Sequence, residues 1–258
     1  MAAKTPVRPG MTDEQLGELM GLLRGSDTVE LKLTVPAEQQ RTAIKSLGLD
    51  ALDAQIRQVI FFDTPDLALD KAGVVVRARR IQGRAGDSVI KLRPLDPHQV
   101  DSDVRSLSGF GVEVDAIPGG FVCSGRLKCE ASSDAIRQGM LGERPLRKLY
   151  SKEQRALFKA HAPDGIELDD LSVLGPIFVL KLKWQPRDFG RKMVAEMWLY
   201  PDGARIFELS TKCLPSEAFQ VAAEARVHLS ENGIDLSGEQ QTKTRTALEF
   251  FSAELAAR

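Results

Sequence analysis

The chain has 258 residues, of which 43% are hydrophobic, so it is long enough to bury a core in one large domain or two small ones. Its formal net charge of −1 gives no bulk attraction to nucleic acid or to a membrane surface, and neither is predicted as a partner. Three Cys without zinc-type spacing do not indicate a disulfide framework, and three scattered His do not form a His-based metal cluster. No signal peptide and no apolar run of membrane-spanning length occurs, so we expect a cytoplasmic protein.

Two units are predicted along the chain. Residues 1–25 are expected to form a polar tail followed by an amphipathic helix, and residues 26–258 a single domain. Short strands dominate that domain, which is typical of a mainly antiparallel α+β fold. Strands are predicted at about 29–35, 57–63, 73–82, 88–94, 111–115, 121–130, 152–158, 166–172, 177–184, 192–200 and 204–212. Helices are predicted at about 37–47 and 133–141, from 216 to 232, and from 242 onward.

Several of these strands carry charged residues at every second position. Side chains on a strand alternate between its two faces, so each of these strands has one apolar face and one charged face. A closed barrel with a charged interior and an apolar exterior under helices would accommodate all of them, and a lumen lined by Lys and Arg is a site for a polyanion. The segments are 29–33, 76–79, 89–93, 179–183 and 207–212.

Glu30 and Lys32 are the first candidates for chemistry, because their spacing places both on one face of the first strand. A carboxylate can hold a hard divalent cation, and an ammonium can hold a phosphate oxygen. The same spacing also occurs on ordinary solvated sheet faces, which is the alternative interpretation.

A more specific pattern is the run Phe61-Phe62-Asp63-Thr64-Pro65, followed by Arg77-Ala78-Arg79 and then by Lys91-Leu92-Arg93. Together with the earlier Glu30-x-Lys32 strand, this order resembles the CYTH group of triphosphate tunnel metalloenzymes, which includes class IV adenylyl cyclases, thiamine triphosphatases and inorganic triphosphatases. The resemblance covers most of residues 28–252. It implies an α+β fold built on a closed antiparallel eight-stranded β-barrel, with helices packed outside. In that family basic residues grip a triphosphate and acidic residues hold Mg²⁺ or Mn²⁺.

The chain departs from the family in its acidic residues. Thr28 stands where the family motif has its first Glu. The second acidic pair falls either at Leu180 and Leu182, which would delete both carboxylates, or at Glu208 and Ser210. We prefer the second placement, because the closing helices follow it. Mg²⁺ usually takes only one or two carboxylates together with phosphate and water, so one metal site remains feasible and a two-metal arrangement is disfavoured, with the number of metals left open. We expect Mg²⁺ or Mn²⁺ to bind weakly without substrate.

The resemblance and the strand pattern together give the expected site. The predicted catalytic residues are Glu30 and Lys32, and the predicted metal ligands are Glu30, Glu208 and Glu196. The predicted triphosphate-binding residues are Lys32, Arg77, Arg79, Lys91, Arg93, Arg155, Lys181, Lys183 and Lys212.

The leading hypothesis for function is metal-assisted hydrolysis of an inorganic or organic triphosphate. One alternative is a catalytically degenerate module that binds polyphosphate or a nucleotide, since carboxylates are missing. Another is a class IV-type adenylyl cyclase, although the cyclase branch often carries a His-Phe pair before the first motif and residues 22–27 have none. A cationic cavity that docks an acidic protein segment is the last alternative. The expected partner is a small-molecule triphosphate or polyphosphate.

Overall fold

The structure is a computed structural model that describes residues 11–236, 240 and 242–257. Nine strands form a closed barrel. They are β1 (Thr28–Val35), β2 (Gln55–Asp63), β3 (Val74–Ile81), β4 (Arg84–Leu92), β5 (Phe110–Ile117), β6 (Gly120–Ala131), β7 (Ser172–Trp184), β8 (Met193–Leu199) and β9 (Arg205–Cys213). Their order around the barrel is β1, β5, β6, β4, β3, β2, β7, β8 and β9, and β9 closes the ring on β1.

The closed barrel confirms the predicted architecture, but the strand count and direction are corrected. The barrel has nine strands instead of eight, and it is mixed instead of antiparallel. Strand β1 pairs in parallel with β5, from Thr28 opposite Glu113 to Leu31 opposite Ala116. An odd number of strands cannot alternate in direction all the way around a closed ring, so at least one parallel pair is required.

Helices surround the barrel and close one end of it. They are α1 (Asp13–Gly25), α2 (Gln40–Ser46), α3 (Ala68–Lys71), α4 (Ser102–Arg105), α5 (Ser133–Met140), α6 (Lys152–His161), α7 (Ala218–Glu231) and α8 (Lys243–Ala256). Helices α1, α2 and α7 pack on the outer faces of β1, β5 and β9. Helices α3, α5 and α6 lie in a second apolar cluster with β2, β3 and β4. Burial of these apolar faces outside the barrel leaves the polar faces of the same strands inside.

Helix α8 packs against a different surface, the apolar part of the barrel interior. Its residues Leu248 and Phe251 form one cluster with Phe61, Trp198 and Ile206, whose register positions face inward. One end of the barrel is therefore filled by apolar side chains.

Two predicted strands are wrong. Residues 152–158 belong to helix α6, which begins with a capping box between Ser151 and Gln154 and buries Leu157 and Phe158 on one side. The predicted strand at 166–172 contains a 3-10 turn, Leu168–Asp170, and only its last residue enters β7.

The predicted N-terminal unit is described only in its second half. The polar tail at residues 1–10 lies outside the described residues. Helix α1 is present with its capping box at Thr12, and its Leu19 and Leu23 are buried in the cluster that contains Val29 of β1. Among the described residues, every helix is too short or too polar to cross a membrane.

Candidate functional site

Alternation along the strands places a dense set of charges inside the barrel. The strand register pairs these residues with one another across neighbouring strands, so they share the inner face. The cationic members are Lys32, Arg57, Arg77, Arg79, Lys91, Arg126, Lys128, Lys181, Lys183 and Lys212. The anionic members are Glu30, Asp87, Glu113, Asp115, Glu130, Glu196 and Glu208.

Three of the carboxylates form an acidic group where β1 meets β5. The parallel register sets Glu30 opposite Asp115, and Glu113 lies two residues earlier on the same face of β5. One ligand oxygen from each of these residues lies within 4.8 Å of the others. Ser210 donates a hydrogen bond of 3.2 Å to Glu30 Oε1, and Thr28 donates one of 3.5 Å to Glu113 Oε2. This acidic group offers oxygen ligands of the kind that a hard divalent cation takes.

Four cations, Lys32, Lys91, Arg93 and Lys212, pair with the three carboxylates of the acidic group. Lys32 Nζ lies 3.2 Å from Glu30 Oε2 and 2.8 Å from Asp115 Oδ1. Lys91 Nζ and a guanidinium nitrogen of Arg93 lie 3.6 and 3.5 Å from Asp115 Oδ2. Burial disfavours charged Lys32, but the attraction of Glu30 and Asp115 outweighs it and raises the pKa of Lys32.

The same pairing keeps the buried carboxylates ionised. Burial acts to raise the pKa of Glu30, yet Lys32 and Lys212 bring it down to about 2. Asp115 is also buried, and Lys32 and Lys91 hold its pKa well below its usual range. These two groups therefore carry their full negative charge at neutral pH.

The donor atoms of this acidic group are of a kind that a metal ion takes. Both carboxylate oxygens of Asp115 are buried; Lys32 Nζ lies 2.8 Å from Oδ1, whereas the cations nearest to Oδ2 lie 3.5 and 3.6 Å away. Buried polar atoms are normally satisfied, and a carboxylate has about four lone-pair positions to fill. Ionised oxygens with open positions, beside Glu30 and Glu113, suit Mg²⁺ or Mn²⁺.

Two arginines on β3 lie further along the inner face. Arg79 makes a bidentate ion pair with Asp87, in which two guanidinium nitrogens donate to the two carboxylate oxygens, each at 2.8 Å. Arg77 has a buried Nε without a hydrogen-bond partner, and no carboxylate lies within ion-pair distance of it among the described residues. Burial first, and then repulsion by Arg79, lowers the pKa of Arg77 to about 9. Arg77 is thus a largely buried cation without an ion-pair partner among the described residues.

A second cluster of ion pairs lies where β7, β8 and β9 meet helix α8. Lys181 Nζ lies 2.6 Å from Glu196 Oε1, and Lys243 of α8 contacts both Glu196 and Glu208. The Trp198 indole N–H donates to Glu196 Oε2 at 3.3 Å. Burial is outweighed by Lys243 and Lys181, which hold the pKa of Glu196 far below its usual range.

The structure arranges the predicted metal ligands differently from the sequence-based expectation. Glu30 lies with Glu113 and Asp115 among Lys32 and Lys212, whereas Glu196 and Glu208 lie in a separate cluster with Lys181 and Lys243. Glu113 and Asp115 are not among the predicted metal ligands. They belong to the run Val112-Glu113-Val114-Asp115, in which carboxylates alternate with valines as expected for a charged inner face.

The predicted triphosphate-binding residues are nearly all inside the barrel. Lys212 contacts Glu113 and lies 3.6 Å from Glu30, and Lys183 is exposed near the end of β7. Arg155 is the exception, because it lies on helix α6 outside the barrel and donates to the carbonyl oxygens of Arg147 and Tyr150. Its expected position in the lumen depends on the predicted strand at 152–158, which is a helix.

A cavity of about 290 Å³ opens at one mouth of the barrel. Asp87, Arg126 and Lys128 line it, and Asp87 connects it to Arg79. A larger groove of about 760 Å³ lies outside the barrel, between α7 and the loop before β8. The charges of Arg191 and Glu224 in that groove already pair with each other at 3.0 Å, so the barrel offers the better anion site.

Solved structures with the same fold support this description of the barrel. No family model and no curated protein matches the sequence. A Bacillus halodurans protein, provisionally assigned as an adenylate cyclase, superposes with a TM-score of 0.58 at 13% identity, over 85% of this chain and 97% of that one. The Hippeastrum protein HpAC1 superposes with a TM-score of 0.59 at 16% identity, over 83% of this chain and 92% of that one. It is provisionally an adenylyl cyclase, for which a dominant triphosphatase activity is described. At these identities the likeness establishes a shared barrel fold.

Proposed function

We propose that this protein is a metal-assisted hydrolase of triphosphates, a member in function of the CYTH group that its sequence resembles. The observation that carries the proposal is the acidic group of Glu30, Glu113 and Asp115 in the same barrel as the unpaired cation Arg77. The first offers ligands to a metal, and the second offers an uncompensated charge to a polyanion. The triphosphatase activity described for the Hippeastrum protein with this fold agrees with it.

The cationic residues would bind and orient the triphosphate. Arg77 has no ion-pair partner in the part of the chain that the structure describes, so a phosphate oxygen would be its first charged partner. Arg79 already makes the bidentate ion pair with Asp87, and this pair fixes the guanidinium plane of Arg79 in the lumen. Lys91 and Arg93 extend the positive surface toward the acidic group. Preorganised cations of this kind stabilise the charge that develops on the departing phosphate chain.

The acidic group would hold one Mg²⁺ or Mn²⁺ through Glu30, Glu113 and Asp115. When bound, such an ion would act as a Lewis acid toward the triphosphate and would lower the pKa of a water molecule. A carboxylate with a pKa of about 2 is a weak base at neutral pH, so Glu30 fits the role of a metal ligand better than that of a general base. Lys32, which contacts Glu30 and Asp115, would position both carboxylates and neutralise the phosphate nearest to them.

The arrangement of the mouth favours a substrate with a small or absent organic group. The cavity at the mouth is lined by charged, small and aliphatic residues, without an aromatic side chain on which a base could stack. The apolar cluster around Trp198 and Phe251 fills the other end. Inorganic triphosphate and short polyphosphates are therefore the first substrates to test.

Phosphate release from a panel of triphosphates tests the proposal. The full chain is assayed with inorganic triphosphate, ATP and thiamine triphosphate, each with Mg²⁺, with Mn²⁺ and with a chelator, and cyclic AMP is measured in the ATP reactions. We expect metal-dependent release of phosphate that Asp115→Asn abolishes and that the exposed control Asp134→Asn leaves unchanged. Triphosphate binding without turnover would favour the binding module, and cyclic AMP as the main product would favour the cyclase.

A further inference from the structure

Arg57 on β2 is, like Arg77, a buried cation inside the barrel without a carboxylate partner. Only 6% of its surface is exposed, and its register partner on β3 is Ile81, which lines the cavity at the mouth. Its Nε and Nη2 donate to Gln55 Oε1 at 3.2 and 2.9 Å. In the part of the chain that the structure describes, no carboxylate lies within ion-pair distance of Arg57. A neutral amide oxygen therefore receives its hydrogen bonds.

The carboxylates that act electrostatically on Arg57 are already engaged by other cations. They are Asp87 and Glu196. Asp87 accepts both hydrogen bonds of the bidentate pair with Arg79, and Glu196 Oε1 lies 2.6 Å from Lys181 Nζ. Burial first, and then repulsion by Arg79, lowers the pKa of Arg57. An anion that enters the barrel would relieve both effects.

Arg57 lies nearer to the mouth than the arginines proposed to bind the triphosphate. Its register partner Ile81 comes four residues after Arg77 on β3, and four residues advance about 13 Å along a strand. Phe61, opposite Arg77, belongs to the apolar cluster that fills the other end of the barrel. Arg79, two residues before Ile81, is a diagonal neighbour of Arg57 on the inner face, at a distance of about 7–8 Å. A chain with phosphates on Arg77 and Arg79 would therefore have its next phosphate beside Arg57.

We propose that Arg57 binds a fourth phosphate, so that the barrel prefers linear tetraphosphate and longer inorganic polyphosphates over triphosphate. The inference rests on the proposed function for the position of the triphosphate on Arg77 and Arg79. A guanidinium can donate two parallel hydrogen bonds to one phosphate, and such charge-assisted bonds are stronger than neutral ones. The cavity at the mouth would hold the part of the chain beyond Arg57. Three cations and two carboxylates line it, namely Arg84, Arg126, Lys128, Asp87 and Glu130.

Calorimetric titration with inorganic triphosphate and with linear tetraphosphate tests this. The full chain is titrated in the presence of a chelator, so that metal-assisted hydrolysis does not consume either anion. The wild type should bind tetraphosphate about tenfold more tightly than triphosphate, as expected for one additional charge-assisted contact. Arg57→Met should lower tetraphosphate affinity by about tenfold and leave triphosphate affinity nearly unchanged.

Two further variants separate a phosphate contact from a general loss of positive charge. Arg80→Met is the matched control, because Arg80 also donates to a glutamine, Gln58 Oε1 at 2.6 Å, but lies on the outer face of β3. It should leave both affinities unchanged. Arg77→Met removes a cation from the proposed triphosphate site and should weaken the binding of both anions by a similar factor.

Equal affinities of the wild type for the two anions, or no binding of either, would overturn the proposal. An equal loss of both affinities in Arg57→Met would also overturn it. If Arg57→Met does not fold, Arg57→Gln removes the charge, keeps a polar side chain and is read in the same way. Metal-dependent phosphate release is measured separately. A tetraphosphate preference that depends on Arg57, without hydrolysis, would refute the proposed hydrolase alone, whereas a triphosphatase without that preference would refute this inference alone.

Discussion

Replacing Arg77 with Met should change stability and triphosphate binding in opposite directions. Arg77 is a buried cation with no carboxylate within ion-pair distance among the described residues, and its Nε has no hydrogen-bond partner. Such a charge is costly in the empty barrel, because nothing replaces the water that it loses. Met has a similar length and no charge, so the empty Arg77→Met protein should be more stable than the wild type.

The magnitude follows from the pKa of Arg77, which burial lowers to about 9. Each pKa unit below the ordinary arginine value of about 12.5 corresponds to about 1.4 kcal/mol, which gives an upper bound of roughly 5 kcal/mol. Replacement of buried charges by apolar side chains of similar volume typically stabilises by about 1–4 kcal/mol, and we expect the gain to lie in that range. One kcal/mol shifts the melting temperature of a protein of this size by about 2–4 °C.

The sign of the pH dependence follows from the same shift. In the unfolded chain Arg77 keeps its proton to a higher pH than in the folded protein, because the folded pKa is lowered to about 9. As pH increases through about 9, the folded wild type loses this buried charge, so its stability rises relative to that of Arg77→Met. The advantage of Arg77→Met should therefore be larger at pH 7 than at pH 10.

Thermal unfolding and calorimetric titration with inorganic triphosphate check both effects. Arg77→Met should melt at a higher temperature when empty and should lose most of its triphosphate affinity and its stabilisation by triphosphate. Arg155→Met, on the outside of the barrel, is the matched control and should bind triphosphate like the wild type. A less stable empty Arg77→Met protein with unchanged triphosphate affinity would refute the reasoning.

Three further predictions concern other parts of the site and fold. Gln154→Leu should destabilise the protein by about 2–3 kcal/mol in denaturant unfolding. The buried amide of Gln154 accepts a hydrogen bond from the Ser88 hydroxyl and donates to the carbonyl oxygens of Ser88 and Leu127, and the substitution would leave these buried groups unsatisfied. Asp63→Ala should cost about 1–2 kcal/mol without changing the metal requirement, because Asp63 accepts backbone hydrogen bonds from the turn that begins α3; a lost metal requirement with normal stability would contradict this structural role. Thr28→Glu should tighten Mn²⁺ binding in calorimetry by adding a carboxylate beside Glu113, whereas the uncharged Thr28→Gln should not; equal affinities in the two variants would contradict an electrostatic effect.

The barrel could be predicted from the sequence because its signal is local. Charges at every second position in β1, β3, β4, β7 and β9 require an interior that tolerates them, and strand periodicity alone reveals that requirement. The ninth strand and the parallel pairing of β1 with β5 depend on which distant segments meet, which periodicity does not determine.

The acidic group could be predicted only in part for the same reason. The alternating carboxylates of Glu113 and Asp115 are visible in the sequence, but their proximity to Glu30 arises from the β1–β5 pairing. The contact of Lys243 with Glu196 depends on how α8 packs into the end of the barrel, 47 residues further along the chain. Helix α6 was mistaken for a strand although the capping box at Ser151 was present in the sequence.

The central claim is that one metal and a triphosphate bind together inside the barrel. A crystal structure of the full chain with Mn²⁺ and a non-hydrolysable triphosphate analogue tests it most directly, since anomalous scattering locates the ion. We predict one Mn²⁺ peak coordinated by Glu30, Glu113 and Asp115, with analogue phosphates on Arg77 and Arg79. An ion between Glu196 and Glu208, or an analogue bound outside the barrel, would contradict it.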